Sequence, residues 1–152
     1  MASRVLFSTL TLAGSLVAVG ASKASDASTE RTTNMKIRIT SGDKVVIATM
    51  ADNATARDFV SLLPLNLAMK DLFGREKYGD LPKPLSEKGP RETTYEVGDI
   101  AYWSPDHQVA VYYRQDGESI SSPGVIPIAK IDAGTEAFIV PGSVKVTIEL
   151  AK

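Results

Sequence analysis

The sequence predicts a mainly β domain, in which about eight short strands close into an antiparallel or mixed barrel and one short helix caps it. Short segments with alternating apolar and polar residues recur along the chain, and turns rich in glycine or proline separate them. Only one segment has helical periodicity, and the 152 residues contain no internal repeat. Many short strands without long helices favour a closed barrel, because closure removes exposed strand edges.

The first 24 residues have the pattern of a secretory signal peptide. Arg4 precedes an apolar run over residues 5–20, and small residues that suit a cleavage site follow it. The run is shorter than the about 20 apolar residues that span a bilayer, so we expect cleavage, with an uncleaved tether as the alternative. Residues 25–34 are rich in Ser, Thr and Ala and predict a flexible leader. We therefore expect an exported domain over residues 35–152, periplasmic or extracellular.

Composition excludes several classes of protein. The chain contains no cysteine, so neither disulfides nor a lipidated cysteine contribute to its stability or anchoring. The formal net charge is −1, and both signs are scattered along the chain. Without a basic stripe to follow a phosphate backbone, we expect no nucleic-acid partner, and no membrane contact beyond the signal peptide.

The domain begins with a predicted hairpin and the single predicted helix. Strands are expected over residues 35–40 and 45–50, joined by a turn at residues 41–44. The helix is expected over residues 52–63. Asp52 or Asn53 can cap its start, a predicted apolar face contains Phe59, Val60, Leu62 and Leu63, and Pro64 prevents continuation.

The remainder of the chain is predicted to be β structure with one long irregular stretch. Alternation predicts a strand from Leu65 to Lys70, and the density of glycine and proline from Phe73 to Arg91 predicts a meandering loop with short extended pieces. Five further strands are expected at residues 100–103, 109–114, 125–131, 136–140 and 144–150. In the last of these, Val144, Val146, Ile148 and Leu150 are expected to face the core.

One predicted hairpin contains most of the aromatic side chains. Four of the five tyrosines and the only tryptophan lie between Tyr95 and Tyr113. If residues 104–107 form a four-residue loop, Trp103 lies opposite Gln108, and one face of the hairpin becomes apolar. That core face consists of Ile100, Tyr102, Val109, Val111 and Tyr113.

The opposite face of this hairpin is the candidate ligand site. It combines aromatic rings, small alanines and a guanidinium, a composition that is typical of a shallow binding groove. The candidate ligand-binding residues are Trp103, Tyr112, Arg114 and Asp99. The alternative interpretation is structural: Trp103 and Tyr112 cover the barrel under the Phe73 to Arg91 loop, with Arg114 paired to Asp99 or to a loop carboxylate.

No catalytic residue, metal site or cofactor is predicted. His107 is the only histidine, it lies in a predicted loop tip, and no nucleophile with an orienting partner is recognisable. One histidine without cysteine cannot form a zinc site, and the chain has no calcium-loop pattern. The glycines lie at turns and form no motif that cradles a phosphate.

Several segments together carry a resemblance to a known family. They are Met35 to Ile39, Asn53 to Phe59 with Leu62 to Pro64, Phe73 to Lys77, Gly98 to Trp103 and Ile126 to Ile131. These segments resemble bacterial cyclophilin-like domain proteins over nearly all of residues 35–140. The resemblance implies a closed cyclophilin-like β-barrel capped by a short helix. It implies no activity, because this family is largely of unassigned function.

True prolyl isomerases of this fold carry a His-Phe-Arg segment and a Gln-Gly-Gly-Asp segment, and neither occurs in this chain. No catalytic arginine can therefore be assigned from the resemblance. The sequence favours an exported binding module for a small molecule or an extended peptide. The alternatives are a divergent peptidyl-prolyl isomerase, in which a groove arginine stabilises the twisted amide, and a structural subunit that uses its aromatic face as an interface.

Overall fold

A computed structural model describes residues 34–152, and the predicted signal peptide lies outside the described residues, as do residues 25–33 of the predicted leader. Eight antiparallel strands close into a barrel in the order β1-β2-β7-β5-β6-β4-β3-β8, with β8 paired back to β1. The predicted fold class is confirmed. The elements are β1 (Lys36–Ser41), β2 (Lys44–Met50), α1 (Ala54–Val60), β3 (Leu65–Leu72), β4 (Glu76–Asp80), β5 (Asp99–Trp103), β6 (Gln108–Tyr112), β7 (Ile126–Ala133) and β8 (Val144–Leu150).

The alternation in β3 and β8 places apolar side chains inside the barrel, as the sequence predicts. Leu65, Leu67 and Met69 of β3 are buried, and Asn66, Ala68 and Lys70 between and after them are exposed. In β8, Val146 and Ile148 are buried. Leu150, which the alternation also placed inside, is 48% exposed because it is the last residue of the strand.

The helix α1 closes one side of the barrel. The Asn53 side chain accepts a hydrogen bond from the Ala56 backbone N–H at 2.8 Å, which confirms one of the two predicted caps. Phe59 and Ala56 are completely buried and pack into the interior core. The helix ends at Val60, before the predicted end at residue 63. Among residues 34–152, no helix combines the length and the apolar character that crossing a membrane requires.

Two predicted elements differ from the structure. The stretch expected to be irregular contains β4, a central barrel strand between β3 and β6. Its alternation was hidden because Lys77 and Gly79, neither of them a typical core residue, occupy the inward positions. The strand expected at residues 136–140 is instead a 3₁₀ turn over Thr135–Phe138, and Gly134 precedes it with a φ of 91°.

The apolar residues form two separate clusters. The larger one fills the barrel interior. The smaller one lies on the outer surface of the barrel wall and consists of Tyr95, Ala101, Ala110, Tyr112, Ile120 and Val125, with Tyr78 and Trp103 at its margin. Residues 113–125, which we call the cover segment, supply Ile120 and Val125 to this outer cluster. A second apolar layer outside a small barrel locates the candidate site.

Candidate functional site

The β5–β6 hairpin has the predicted register. Trp103 lies opposite Gln108, and the residues between them form a 3₁₀ turn over Ser104–Asp106 followed by His107. All five residues of the predicted core face are buried in the interior cluster. Consequently Ala101, Ala110 and Tyr112 face outward, where they form part of the outer cluster.

The cover segment is fixed over this outer face by backbone hydrogen bonds. Glu92 and Val125 exchange two of them, at 2.8 and 2.9 Å, and the Ile120 N–H donates to the Thr93 carbonyl at 2.7 Å. The Tyr95 hydroxyl donates to Asp116 Oδ1 at 2.7 Å. Gly124 lies at the bridge with a φ of 81°, and a Cβ there would be 2.6 Å from the Glu92 backbone oxygen. This close approach requires glycine.

A cavity of about 350 Å³ lies between β4, the β5–β6 hairpin and the cover segment. We call it the outer-face cavity. Apolar and aromatic side chains dominate its lining, and a few polar groups accompany them. The lining consists of Leu72, Phe73, Arg75, Glu76, Tyr78, Trp103, Asp106, Gln108, Ala110, Tyr112, Ile120, Ser121 and Val125.

Arg75 and Glu76 place a buried ion pair in the wall of the cavity. Only 6% of Glu76 is exposed, and its Oε2 accepts from Arg75 Nε at 3.0 Å. Arg75 Nη1 also donates to Asp116 Oδ2 at 3.4 Å. One guanidinium therefore faces two carboxylates, one from β4 and one from the cover segment.

The surroundings of Glu76 change its proton affinity. Burial raises the pKa of the Glu76 carboxyl, against the hydrogen bond and the charge of Arg75, which lower it. Burial also raises the pKa of the Tyr112 hydroxyl, and the charge of the nearby Glu76 raises it further. Tyr112 and Glu76 both line the cavity.

Aromatic rings surround this polar pair. Tyr112 stacks on Tyr95 with 4.3 Å between ring centroids. Trp103 Nε1 donates to Asp106 Oδ2 at 3.1 Å, which fixes the indole at the hairpin tip. Phe73 is 75% exposed at the mouth of the cavity, in the left-handed region with a φ of 55°, which is unfavourable for a bulky residue. The Arg75 guanidinium lies 5.3 Å from the centroids of Phe73 and Tyr95.

The structure brings together two of the four predicted ligand-binding residues. Trp103 and Tyr112 line the outer-face cavity, whereas Arg114 and Asp99 lie outside it. Arg114 is exposed and donates to the Gly74 carbonyl at 3.2 Å. Asp99 accepts from Lys130 Nζ at 2.8 Å, so it is not paired with Arg114 as the structural alternative proposed.

The cover and the charged wall were not predicted. The structural alternative placed the Phe73 to Arg91 loop over the aromatic face, but residues 113–125 occupy that position. Glu76 enters the site because β4 pairs with β6, with Glu76 opposite Tyr112. No local pattern indicated this, because Lys77 and Gly79 hold the inward positions of β4 and hide its alternation. Periodicity alone does not identify the neighbouring strand.

The charged groups are not arranged as a metal centre. Within residues 34–152, no group of three or more His, Asp or Glu side chains is placed to hold a metal ion. His107 lies at the exposed tip of the hairpin, in the left-handed region with a φ of 54°. The groups that the cavity offers to a ligand are therefore aromatic rings, hydrogen-bonding groups and an ion pair.

The eight-stranded antiparallel barrel and its short capping helix place this protein in the class of closed β-barrel domains. The chain belongs to the Cyclophilin-like family, whose family model matches residues 39–149. This agrees with the resemblance inferred from the sequence. No curated protein matches the chain.

Two solved structures share the fold. The hypothetical protein AF2241 from Archaeoglobus fulgidus is 20% identical, with a TM-score of 0.64; the match covers 80% of this chain and 98% of that protein. McbB, solved in complex with tryptophan, is 14% identical, with a TM-score of 0.53 over 74% of this chain. This chain spans only 44% of McbB. At these identities, both likenesses concern the fold.

Proposed function

We propose that this protein is a binding module for a small molecule, which it holds in the outer-face cavity. The observation that carries the proposal is the cavity itself: about 350 Å³, lined mainly by apolar and aromatic groups around a buried carboxylate. Small-molecule sites are typically of this size or larger, with a few polar groups that orient the ligand in an apolar surround.

The shape of the site favours a compact ligand over an extended peptide. The cover segment lies across the outer face and is tied to residues 92–95 by several hydrogen bonds, so the face is not an open groove. A protein of the same fold, McbB, has been solved with tryptophan, which is a small aromatic molecule. This supports the proposal at the level of the fold.

The two alternatives lose their specific support. The isomerase alternative used Arg114 as the arginine of the groove, and Arg114 lies outside the cavity. The arginine that does line the cavity, Arg75, is already paired with Glu76 and Asp116. The interface alternative needed an exposed aromatic face, but Tyr112 is buried and Trp103 is half-buried.

The experiment that tests the proposal uses Trp103 as a reporter. Because Trp103 is the only tryptophan in the chain and lines the cavity, selectively excited indole emission reports on that site alone. We expect members of a library of small aromatic compounds to change the emission saturably. Ser121→Phe, which adds a ring to an exposed cavity-lining position, is expected to abolish the change, and the neighbouring Ser122→Phe is expected to preserve it.

Two results contradict the proposal. One is a library in which no compound alters Trp103 emission or its indole N–H resonance at millimolar concentration. The other is binding that Ser121→Phe leaves intact, because the ligand would then occupy another surface.

The compartment in which the protein acts is a second part of the proposal. The signal-peptide pattern of residues 1–24 supports export of the domain. Mass spectrometry of the protein purified from its own host tests this: we expect a mature N-terminus after residue 21 or residue 24. An intact N-terminus in a cytoplasmic fraction contradicts export.

A further inference from the structure

The outer-face cavity has an uneven balance of charge. Its lining contains one cation, Arg75, and two anions, Glu76 and Asp106. A third anion, Asp116, contacts the same arginine from the cover segment. The immediate surroundings of a bound molecule are therefore negative.

Arg75, the one cation in the lining, is already paired with two carboxylates. Arg75 lies within 3.0 Å of Glu76 and 3.4 Å of Asp116, and its guanidinium lies near two aromatic rings. A ligand carboxylate at Arg75 would compete with these two carboxylates and would add a further negative charge. Binding an anion here is electrostatically unfavourable.

The anions retain capacity to accept hydrogen bonds. A carboxylate offers about four acceptor positions. Glu76 Oε2 accepts from Arg75 Nε at 3.0 Å, and Asp106 Oδ2 accepts from the Trp103 indole N–H at 3.1 Å. The neighbouring aromatic rings attract cations through their faces.

We infer that the ligand is an aromatic cation, a flat ring bearing a protonated amine or another positively charged nitrogen. This inference rests on the proposed function, since it concerns the same cavity. The ring packs among the aromatic side chains of the lining, and the charged nitrogen donates to Glu76. Because that carboxylate is desolvated, a hydrogen bond to it is stronger than one at the surface.

The test uses three probes with the same ring and different charges: 2-phenylethylamine, 2-phenylethanol and 3-phenylpropionate. Each is titrated at neutral pH, where the amine is a cation, against the folded chain, and Trp103 emission and the indole N–H resonance are followed. We expect the amine to bind at least about tenfold more tightly than the propionate, with the alcohol between them.

Glu76→Gln keeps the shape of the side chain and removes its charge. We expect it to weaken amine binding about tenfold and to leave alcohol binding nearly unchanged, because only the amine interacts with the charge. Glu149→Gln, at an exposed ion pair on β8, is the matched control and is expected to change neither. If Glu76→Gln does not fold, Asp106→Asn at the exposed hairpin turn supplies the same comparison.

The outcomes separate this inference from the proposed function. Tighter binding of the propionate, or equal binding of all three probes, would overturn the cationic ligand while leaving a small-molecule site in place. Amine binding that neither carboxamide variant weakens would also overturn it. If no probe alters the Trp103 signals while the library screen finds a ligand that does, the cationic class is wrong and the binding function stands. Failure of both experiments rejects the binding function itself.

Discussion

Two neighbouring residues of β4 place charges on opposite sides of the barrel wall. Lys77 points inward and is 0% exposed, and its ammonium donates to Asp71 Oδ1, the Val140 carbonyl and the Gly142 carbonyl at 3.0, 2.6 and 2.7 Å. Glu76 points outward and is almost as buried, but it borders the outer-face cavity. Burial alone does not distinguish these two residues.

The difference lies in what remains available to a ligand. Lys77 has three N–H donors, and each has a protein acceptor, so it joins the β3–β4 region to the loop before β8. Glu76 still has positions that can accept hydrogen bonds, and it lines the outer-face cavity. A buried charge with all its bonds made within the protein indicates structure, and one with unused capacity in a cavity indicates a site. Variants of the two residues should therefore behave differently.

The largest expected effect comes from Lys77→Met. The substitution removes a fully buried ammonium that donates to the Val140 and Gly142 carbonyls and to the partly exposed Asp71 carboxylate. Hydrogen bonds to a charged group contribute about 1.5–3 kcal/mol, so we expect the free energy of unfolding, measured by urea denaturation, to fall by about 3 kcal/mol. Lys145→Met, on an exposed position of β8, is the control and is expected to have little effect. Equal stabilities of the two variants would show that the inward charge is dispensable.

Gly124→Ala is expected to have the next largest effect, by loosening the cover segment. Its Cβ would meet the Glu92 backbone oxygen at 2.6 Å, and backbone cannot rotate away as a side chain can. Gly117→Ala is a close control, because Gly117 has the same φ of 81° and nothing within 4 Å of a Cβ. We expect Gly124→Ala to be less stable than Gly117→Ala by about 1–3 kcal/mol, and amide exchange to increase at Ile120 and Val125. Identical behaviour of the two variants would contradict a tightly fixed cover.

A smaller effect is expected in the pH dependence of stability. Burial raises the pKa of the Glu76 carboxyl in the folded chain above its ordinary value of 4.5, so the protonated carboxyl stabilises the folded state. This stabilisation is complete below pH 4.5 and is lost as the pH rises through the pKa of the folded chain. Arg75, Tyr112 and Asp116 are the groups that act on this carboxyl. Urea denaturation from pH 4.5 upward should show that Glu76→Gln gains stability relative to the native chain as the pH rises.

Asp116→Asn is expected to change stability with pH in the opposite direction to Glu76→Gln. The hydrogen bond from Tyr95 lowers the pKa of the Asp116 carboxyl below its ordinary value of 3.8. The ionised carboxylate therefore stabilises the folded chain above pH 3.8, and this stabilisation is lost on acidification. The variant should therefore lose stability relative to the native chain as pH rises. Parallel pH profiles for the two variants would mean that the two carboxylates do not differ in environment.

The smallest expected effect concerns Phe73, at the mouth of the cavity. Asparagine tolerates a positive φ better than phenylalanine, so Phe73→Asn should relieve strain, while the loss of the Arg75 contact opposes the gain. We expect the unfolding free energy to rise by roughly 0.5 kcal/mol and the affinity for 2-phenylethylamine to fall. Phe73→Ala removes the ring without this relief and is the comparison. Undiminished affinity in both variants would exclude Phe73 from the site.

Local patterns predicted much of this fold. Alternation located β3 and β8, and the turn between Trp103 and Gln108 fixed the register of the β5–β6 hairpin. The same reasoning failed where an inward position holds an unusual residue, as Lys77 does in β4. It also failed at residues 136–140, where the apolar side chains of Ala137 and Phe138 are buried from a 3₁₀ turn rather than a strand.

The candidate site was only half predictable because it is assembled across strands. Trp103 and Tyr112 belong to one hairpin, so local pairing places them on one face. Glu76 reaches that face through the non-local pairing of β4 with β6, on which no sequence period depends. Asp99 begins β5 and contacts Lys130 of β7. Arg114 belongs to the strand predicted over residues 109–114 but lies beyond the end of β6, and it donates to the Gly74 carbonyl. Both partners come from segments outside the hairpin.

The seam between β1 and β8 has a consequence for folding kinetics. Ile37 pairs with Leu150, so this contact joins opposite ends of the described chain. Pairings between such distant residues require a large loss of chain entropy before they form, which places barrels among the slow-folding topologies. Until the seam closes, β1 and β8 each present an unpaired edge that a second unfolded chain can occupy. The yield of native protein on refolding should therefore fall as protein concentration rises, and substitutions at this seam should change that yield more than those at the β1–β2 hairpin.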